Sequence, residues 1–258
     1  MSLADAYSAT GAAWEAGPAR IYDRLADVLV SASPIDLAGA SVADVGAGTG
    51  AASRALERVG ARPIALDLAD GMLRVDAPGR PPAVVADGRS LPLATHSCAA
   101  VVAAFSYNHL SEPQVALAEA ARVIETGGAV LASSYAHDDD HPVKAAVETA
   151  VTEVGWKAEP WVQALKANAI PHLATVANAL ESARGAGLSA IADVVEVPFP
   201  DLTASDLVAW RLGMAQIAPF MAGRREETRQ QVVARSLELL GPSPGPLVRR
   251  IVVLVART

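Results

Sequence analysis

The segment VADVGAGTG, residues 42–50, combines an apolar strand-like run, one acid and three glycines. Gly46, Gly48 and Gly50 carry no side chain that would block a ligand, and they permit the positive φ values that a tight strand-to-helix turn needs. The following segment AASRALERVG, residues 51–60, predicts a helix that ends at its glycine. A glycine loop that opens a helix indicates a nucleotide-type ligand at the carboxyl edge of a sheet.

Two cofactor classes are compatible with this loop. Gly46, Gly48 and Ala51 satisfy the G-x-G-x-x-G/A pattern of dinucleotide binding, in which an acid is expected roughly 20 residues further on. Dinucleotide-binding strands usually run apolar into the first glycine, whereas here Asp44 lies just before it and a second acidic site follows at Asp87. These acids favour a different nucleotide cofactor, and a nicotinamide enzyme stays open as the alternative.

A histidine occurs in the segment SYNHL, residues 106–110, directly after an apolar strand-like run. An imidazole can accept a proton at neutral pH, so His109 is the candidate general base for a transfer to oxygen or nitrogen. The alternative is that His109 caps or packs the helix that follows it.

The run HDDDH, residues 137–141, contains side chains that suit divalent cations. Five adjacent residues cannot all converge on one ion, and Pro142 follows at once. The pattern therefore favours a solvated acidic loop, with a substrate contact by His137 as the next interpretation, and no metal ligand is assigned.

Strand-like and helix-like segments alternate from residue 40 to residue 135, which predicts an α/β fold with a mostly parallel sheet covered on both faces. The helix after His109 is expected to use Ser111 and Gln114 as a capping box, to have Pro113 in its first turn and to end at Gly127. Further predicted elements are helices at residues 20–31 and 175–188, a strand-like run at 191–197 and a closing strand at 249–257.

The glycine loop and the segments after it resemble the class I S-adenosylmethionine-dependent methyltransferases. VADVGAGTG is similar to motif I of that family, and PIALDLADGML, residues 63–73, to its second strand and the start of the next helix. VVADGRSLPL (84–93), AAVVAAFSYNHL (99–110) and EAARVIETGGAVLASSY (119–135) resemble the third, fourth and fifth strands with their connections. The resemblance implies a Rossmann-like, doubly wound sheet of about seven strands, the last of them antiparallel.

The same resemblance assigns roles around the cofactor S-adenosyl-L-methionine. Asp67, at the end of the second strand, would accept both ribose hydroxyls, and Asp87, with the Gly88 backbone, would accept from the adenine amino group. Asp44 would orient the methionine amino group, although a structural role for it stays open. The cofactor residues implied in this way are Asp44, Gly46, Ala47, Gly48, Gly50, Asp67, Leu68, Met72, Asp87 and Gly88.

Two stretches are longer than a bare sheet fold needs. We predict one domain over residues 1–258, with an N-terminal helical cover at 1–33, a cofactor-binding core at 34–135 and helical lid insertions at 136–174 and 198–247. In the second insertion Thr203 and Asp206 form a capping box, and residues 224–240 predict a further helix. Candidate acceptor contacts are Tyr107, Asn108, His137 and Trp210, with Tyr7 in the cover. Arg20, also in the cover, could pair with the methionine carboxylate, and an exposed arginine at a helix start is the equally open alternative.

Composition excludes several classes of protein. The formal net charge is −7 and no run of Lys or Arg occurs, so the chain has no electrostatic footprint for nucleic acid. Cys98 is the only cysteine, which excludes an intrachain disulfide and favours a cytoplasmic protein. No apolar stretch approaches the ~20 residues that span a bilayer, and the start lacks signal-peptide features, so no membrane partner is expected. The sequence is compatible with a monomer and with a homodimer.

Together these patterns predict a methyltransferase that acts on a small molecule, at oxygen or nitrogen of an apolar or aromatic acceptor. Two alternatives remain. One is a cofactor-binding protein of the same fold with non-methylating chemistry, of the cyclase or decarboxylase type, and the other is a non-catalytic partner subunit.

Overall fold

A computed structural model describes residues 2–75 and 77–258. In these residues seven strands form one sheet of order β3-β2-β1-β4-β5-β7-β6. Strands β1 to β5 are parallel, and β7 is antiparallel to both β5 and β6. The predicted Rossmann-like sheet with an antiparallel last strand is confirmed. The strands are β1 Ser41–Val45, β2 Arg62–Asp67, β3 Ala83–Val85, β4 Cys98–Ala104, β5 Ile124–Tyr135, β6 Ser189–Phe199 and β7 Leu247–Arg257.

Helices cover both faces of the sheet and continue into the two long insertions. The central strands β1 and β4 are buried on both faces, as a sheet between two helical layers requires. No helix among the described residues is long and apolar enough to cross a membrane. The helices are α1 Leu3–Ser8, α2 Gly11–Ala16, α3 Ala19–Ser31, α4 Ala51–Arg58, α5 Asp70–Leu73, α6 Pro113–Val123, α7 Val143–Glu153, α8 Pro160–Asn168, α9 Val176–Gly185, α10 Ala204–Leu212, α11 Ala218–Ala222 and α12 Glu226–Leu240.

The cap of α10 follows the sequence prediction. Thr203 Oγ1 accepts a hydrogen bond from the backbone N–H of Asp206, and the Asp206 carboxylate accepts in return from the backbone N–H of Thr203. These bonds satisfy donors that a helix start leaves unpaired.

The prediction for α6 is wrong at both ends. Pro113 does occupy the first turn, but Glu112 is the N-cap residue and no side chain caps the helix. The helix ends at Val123, because Ile124 already pairs with Cys98 in the sheet. Gly127 lies inside β5 with a φ of +83°, between the Cys98 and Ala100 pairings where the β4–β5 register shifts. It therefore marks an irregularity of the strand.

The strand order reverses between β1 and β4, which pair with each other and carry β2 and β5 on their outer sides. The helices that follow these two strands, α4 and α6, pack in two different core clusters, one on each face of the sheet. Ligands of open α/β sheets bind at such a switch point.

Candidate functional site

The glycine loop after β1 lies against the end of β4. Gly46 has a φ of +73°, and a Cβ atom placed there would lie 2.2 Å from the Cβ of Ser106. The Ser106 hydroxyl in turn donates to the carbonyl oxygen of Val45 at 2.6 Å. Glycine at position 46 thus lets the loop turn and lets the two strand ends meet.

A large cavity follows this edge of the sheet. Its volume is about 720 Å³, within the ~300–1,000 Å³ of typical small-molecule sites. Its wall contains residues from the ends of β2, β1, β4, β5 and β7, which are consecutive neighbours in the sheet. Residues of the N-terminal helices and of both insertions complete the wall. Every predicted acceptor and base residue lines this cavity, and so does every predicted cofactor residue except Gly50, which is the N-cap residue of α4, and Arg20, which lies on the surface.

Asp44 is buried beside the glycine loop, with a relative exposure of 1%. One carboxylate oxygen, Oδ2, accepts a hydrogen bond of 2.6 Å from the Ser53 hydroxyl, while Oδ1 has no hydrogen-bond partner among residues 2–75 and 77–258. Burial raises the pKa of Asp44 to about 6, against the opposing effect of the Ser53 bond. An unpaired carboxylate oxygen in a cavity wall fits a cationic ligand group such as an ammonium.

Asp67 is fixed at the end of β2 by two backbone amides. Its Oδ2 accepts from the N–H of Gly48 at 2.8 Å, and its Oδ1 accepts from the N–H of Ala69 at 2.7 Å. Burial raises the pKa of this carboxyl group and the two amide bonds oppose the shift. Each carboxylate oxygen keeps lone-pair capacity for a further donor, so the geometry fits a vicinal pair of hydroxyls.

Asp87 forms a salt bridge with Arg89 of the same loop. Arg89 Nε lies 3.0 Å from Oδ1 and Arg89 Nη2 lies 2.7 Å from Oδ2, and these hydrogen bonds lower the pKa of Asp87. Leu68, which follows Asp67 in the chain, is 52% exposed, whereas Met72 is buried. An exposed leucine in a cavity wall offers a surface on which a flat ring can pack.

Arg80 is a residue that sequence reasoning did not single out. Its Nη1 donates to the carbonyl oxygens of Met72 and Leu73, and Nη1 and Nη2 both lie within 3.3 Å of the Gly48 carbonyl oxygen. Arg80 therefore ties the glycine loop to α5. A lone arginine in the loop GRPP gives no sequence signal for this role.

His109 and Tyr7 face each other across the cavity. His109 Nε2 lies 3.3 Å from the Tyr7 hydroxyl oxygen, and the two rings are 5.4 Å apart between centroids. Burial lowers the pKa of His109 to about 4, so the imidazole is neutral at neutral pH. Burial also holds the pKa of Tyr7 well above its usual value, so its hydroxyl keeps its proton.

A row of aromatic rings continues from Tyr7 along the wall. Adjacent centroids are 5.9 Å apart for Tyr7 and Trp14, 4.7 Å for Trp14 and Tyr22, and 5.3 Å for Tyr22 and Phe105. Tyr135 at the end of β5 packs on Phe105 at 4.6 Å. Phe105 has a φ of +56°, an uncommon conformation for a bulky residue that clusters at functional sites.

Arg249 lies beyond Tyr135 and has a side-chain exposure of 2%. Its guanidinium carbon lies 3.9 Å from the centroid of Tyr135 and 4.7 Å from that of Trp210. The sequence analysis treated residues 249–257 only as a strand. The alternation of side chains along a strand could have revealed the burial of Arg249, because Arg249 shares its strand face with the core residues Leu247, Ile251 and Val253.

The interpretation of residues 137–141 as a solvated loop holds for His137, Asp138 and Asp140, which are exposed, and is wrong for Asp139 and His141. Asp139 has a side-chain exposure of 2% and pairs with Arg249, and His141 is buried and accepts from the N–H of Val143. The reason is that a buried guanidinium requires a carboxylate partner. His137 is exposed but lines the cavity.

The remaining candidates divide between buried and surface positions. Tyr107, Asn108 and Trp210 are buried and line the cavity. Arg20 lies outside the cavity lining, and its exposed side chain is 3.7 Å from Asp206. The expected pairing of Arg20 with a methionine carboxylate is therefore wrong, because its guanidinium points to the surface capping box of α10.

Comparison with known proteins identifies the family. Residues 43–132 match a family model described as a methyltransferase domain. The chain is 32% identical over 171 residues to the demethylmenaquinone methyltransferase of Thermobifida fusca, an alignment that covers 62% of this chain and 68% of that protein. The chain belongs to the class I S-adenosylmethionine-dependent methyltransferases. The family and fold predicted from the glycine loop and its neighbouring strands are confirmed.

Two further comparisons show how far the similarity to methyltransferases extends. The demethylmenaquinone methyltransferase of Renibacterium salmoninarum is 34% identical over 160 residues, which is 61% of this chain and 64% of that protein. The solved structure of Haemonchus contortus phosphoethanolamine N-methyltransferase 2 in complex with S-adenosyl-L-methionine has a TM-score of 0.54 at 16% identity. That likeness covers 91% of this chain and 52% of that chain, and it concerns the fold alone.

Proposed function

We propose that this chain transfers the methyl group of S-adenosyl-L-methionine to an oxygen or nitrogen atom of a small aromatic or apolar acceptor. The supporting observation is one continuous cavity that contains both the acids at the ends of β1 and β2 and the aromatic row that begins at Tyr7. Donor and acceptor would thereby lie in one enclosed space.

Bound S-adenosyl-L-methionine would supply a methyl group on a sulfonium, an activated leaving group, so positioning can provide much of the rate acceleration. Asp67 would accept the ribose hydroxyls, because its two amide bonds fix the carboxylate in place. The free Oδ1 of Asp44 would accept from the methionine ammonium. Asp87 and the Gly88 backbone would hold the adenine amino group, with Leu68 and Met72 packed on the ring.

His109 would receive the acceptor's proton, directly or through the Tyr7 hydroxyl at 3.3 Å. A pKa of about 4 makes the imidazole a weak base that is fully neutral at physiological pH. It therefore suits an acceptor whose proton becomes acidic as the new bond to carbon forms, since the proton leaves late in such a transfer. Tyr107, Asn108, His137 and Trp210 would contact the acceptor.

The N-terminal helices at residues 1–33 and the insertions at 136–174 and 198–247 would act as a cover and a lid. All three segments contribute residues to the cavity wall, among them Tyr7, Trp161 and Trp210. Closure of these helices would exclude water from the donor sulfur and the acceptor atom.

The test is release of S-adenosylhomocysteine from S-adenosyl-L-methionine in the presence of an acceptor panel. The panel contains phenols, catechols, aromatic amines and demethylmenaquinone, the acceptor for which the relatives are named. We expect release with at least one aromatic acceptor, and loss of release in an Asp67→Asn variant. Donor binding without release from any acceptor would contradict methyl transfer and favour non-methylating chemistry or a partner subunit.

A further inference from the structure

The cavity end at Arg249 contains hydrogen-bond donors that have no acceptor. The Arg249 side chain has an exposure of 2%, and its Nη2 lies 2.7 Å from Asp139 Oδ2. Its Nε and Nη1 atoms are buried and have no hydrogen-bond partner within the described part of the chain. Because a guanidinium cannot lose its charge in a protein, these N–H groups need an acceptor from elsewhere.

A second arginine lies at the same end. Arg211 on α10 lines the cavity, and its Nε has no hydrogen-bond partner among residues 2–75 and 77–258. Its Nη1 and Nη2 lie 2.6 and 3.1 Å from the Gln216 side-chain oxygen when that amide is oriented with its oxygen towards them. Trp161 and Trp210 also line the cavity, and their buried indole N–H groups have no acceptor in the described part of the chain.

Asp139 does not satisfy these donors, because both of its oxygens accept from other groups. Its Oδ1 accepts from the backbone N–H of Arg250 at 2.9 Å. Its Oδ2 accepts from Arg249 at 2.7 Å and from Lys144 Nζ at 3.1 Å. One buried carboxylate is thus shared between two cations.

The charge balance at this end is positive. The cations lining it that are not largely solvated are Arg211, Arg249 and Lys144, and the carboxylates that are not largely solvated are Asp139 and Glu148. A third carboxylate, Asp140, is 82% exposed. One of these cations therefore has no desolvated carboxylate as a partner. A buried charge without a partner raises the free energy of the folded protein.

We propose that Arg249 and Arg211 bind a carboxylate carried by the methyl acceptor, so that the substrate is an aromatic acid. This inference rests on the proposed methyl transfer. The rings of Tyr22, Phe105 and Tyr135 lie between the Tyr7–His109 pair and the arginines. An acceptor with a flat apolar body would fill this interval, with its acid at the arginines and its methylated atom at His109.

The test compares aromatic acids with neutral analogues of the same shape. Para-hydroxybenzoate, para-hydroxycinnamate and a hydroxynaphthoate are each paired with their primary amide. Calorimetric titration of the protein saturated with S-adenosylhomocysteine measures both affinities. We expect at least one acid to bind about tenfold or more tightly than its amide, because a charge-assisted bond replaces a neutral one.

Two variants identify the residues responsible. Arg211→Met should reduce the preference of the acid over the amide to about twofold or less, with unchanged affinity for S-adenosylhomocysteine. Arg249→Met combined with Asp139→Asn removes both members of the buried pair, so no guanidinium is left without its carboxylate, and it should abolish the preference. Arg224→Met is the matched control, since Arg224 stacks on Phe220 at 3.9 Å outside the cavity lining, and it should retain the full preference.

The outcomes separate this inference from the proposed function. Equal affinity for acids and amides, or no binding of any acid by a protein that binds S-adenosylhomocysteine, overturns the carboxylate site and leaves methyl transfer standing. Retained acid preference in both arginine variants also overturns it. Failure of the wild-type protein to bind S-adenosylhomocysteine overturns the proposed function and this inference together.

Discussion

The Tyr7 hydroxyl oxygen lies 3.3 Å from His109 Nε2, although 102 positions separate the two residues in the chain. Tyr7 comes from α1, ahead of the sheet, and His109 from the turn after β4. The pair therefore joins the N-terminal helices to the cofactor-binding core across the cavity. It also gives the imidazole a fixed hydrogen-bond partner at the nitrogen that faces the aromatic row.

Replacement of His109 should reduce turnover without changing donor binding. We expect His109→Gln to lower kcat by about 10²–10⁴-fold, the usual contribution of a general base, and Tyr7→Phe to lower it less. The measurement is S-adenosylhomocysteine release alongside calorimetric affinity for the same compound. His172→Gln, at an exposed histidine outside the cavity lining, should keep wild-type kcat. Wild-type kcat in His109→Gln would exclude the base role.

The low pKa of His109 makes a specific contribution to the pH dependence of stability. The unfolded chain binds a proton at this residue from about pH 6.5 downward, whereas the folded protein does so only near pH 4. The free energy of unfolding therefore falls as the pH falls through this window. The free energies of unfolding of wild type and His109→Gln, measured with urea, should differ by a constant amount above pH 7. Towards pH 4 the wild type should lose stability relative to the variant. A difference independent of pH would contradict the buried neutral imidazole.

The contact between the glycine loop and β4 can be tested by a substitution and its rescue. Gly46→Ala places a Cβ atom 2.2 Å from that of Ser106 and should abolish donor binding. Gly127→Ala has a similar positive φ but no atom within 4 Å, so it should cost only about 1–2 kcal/mol of backbone strain. Adding Ser106→Gly to Gly46→Ala removes the overlap and should restore part of the calorimetric affinity for S-adenosylhomocysteine. No rescue would show that strain alone, and not the overlap, disables the loop.

The buried pair of Asp139 and Arg249 should respond differently from the neighbouring surface pair. Asp139→Asn leaves the Arg249 charge without its closest partner and should destabilise the protein by about 3–5 kcal/mol. Asp138→Asn removes a half-exposed partner of Arg250 and should cost about 1 kcal/mol or less. Urea denaturation measures both. Equal effects of the two substitutions would contradict the buried ion pair.

The order of the elements could be predicted because each depends on local patterns. Each of these features depends on residues that are close together in the sequence. Examples are the glycine loop, the alternating strands and helices from residue 40 to residue 135, and the Thr203–Asp206 cap. The predicted cofactor residues face one cavity for the same reason, since the carboxyl ends of neighbouring parallel strands share an edge.

The acceptor end of the cavity could not be predicted in the same way. Asp139 lies 2.7 Å from Arg249, and this contact joins the loop after β5 to the start of the last strand. Seen along the chain, Asp139 belongs to an acidic run that is typical of solvent-exposed loops. Only the antiparallel pairing of β5 with β7 brings the two residues together.

The most direct test of the account is calorimetric titration of the protein with S-adenosylhomocysteine and, separately, with NAD. We expect one-to-one binding of S-adenosylhomocysteine, no binding of NAD, and strongly weakened binding of S-adenosylhomocysteine by Asp67→Asn. Asp70→Asn, at a half-exposed carboxylate that pairs with Arg74, should bind as the wild type does. Binding of NAD in place of S-adenosylhomocysteine, or unchanged affinity in Asp67→Asn, would contradict the account.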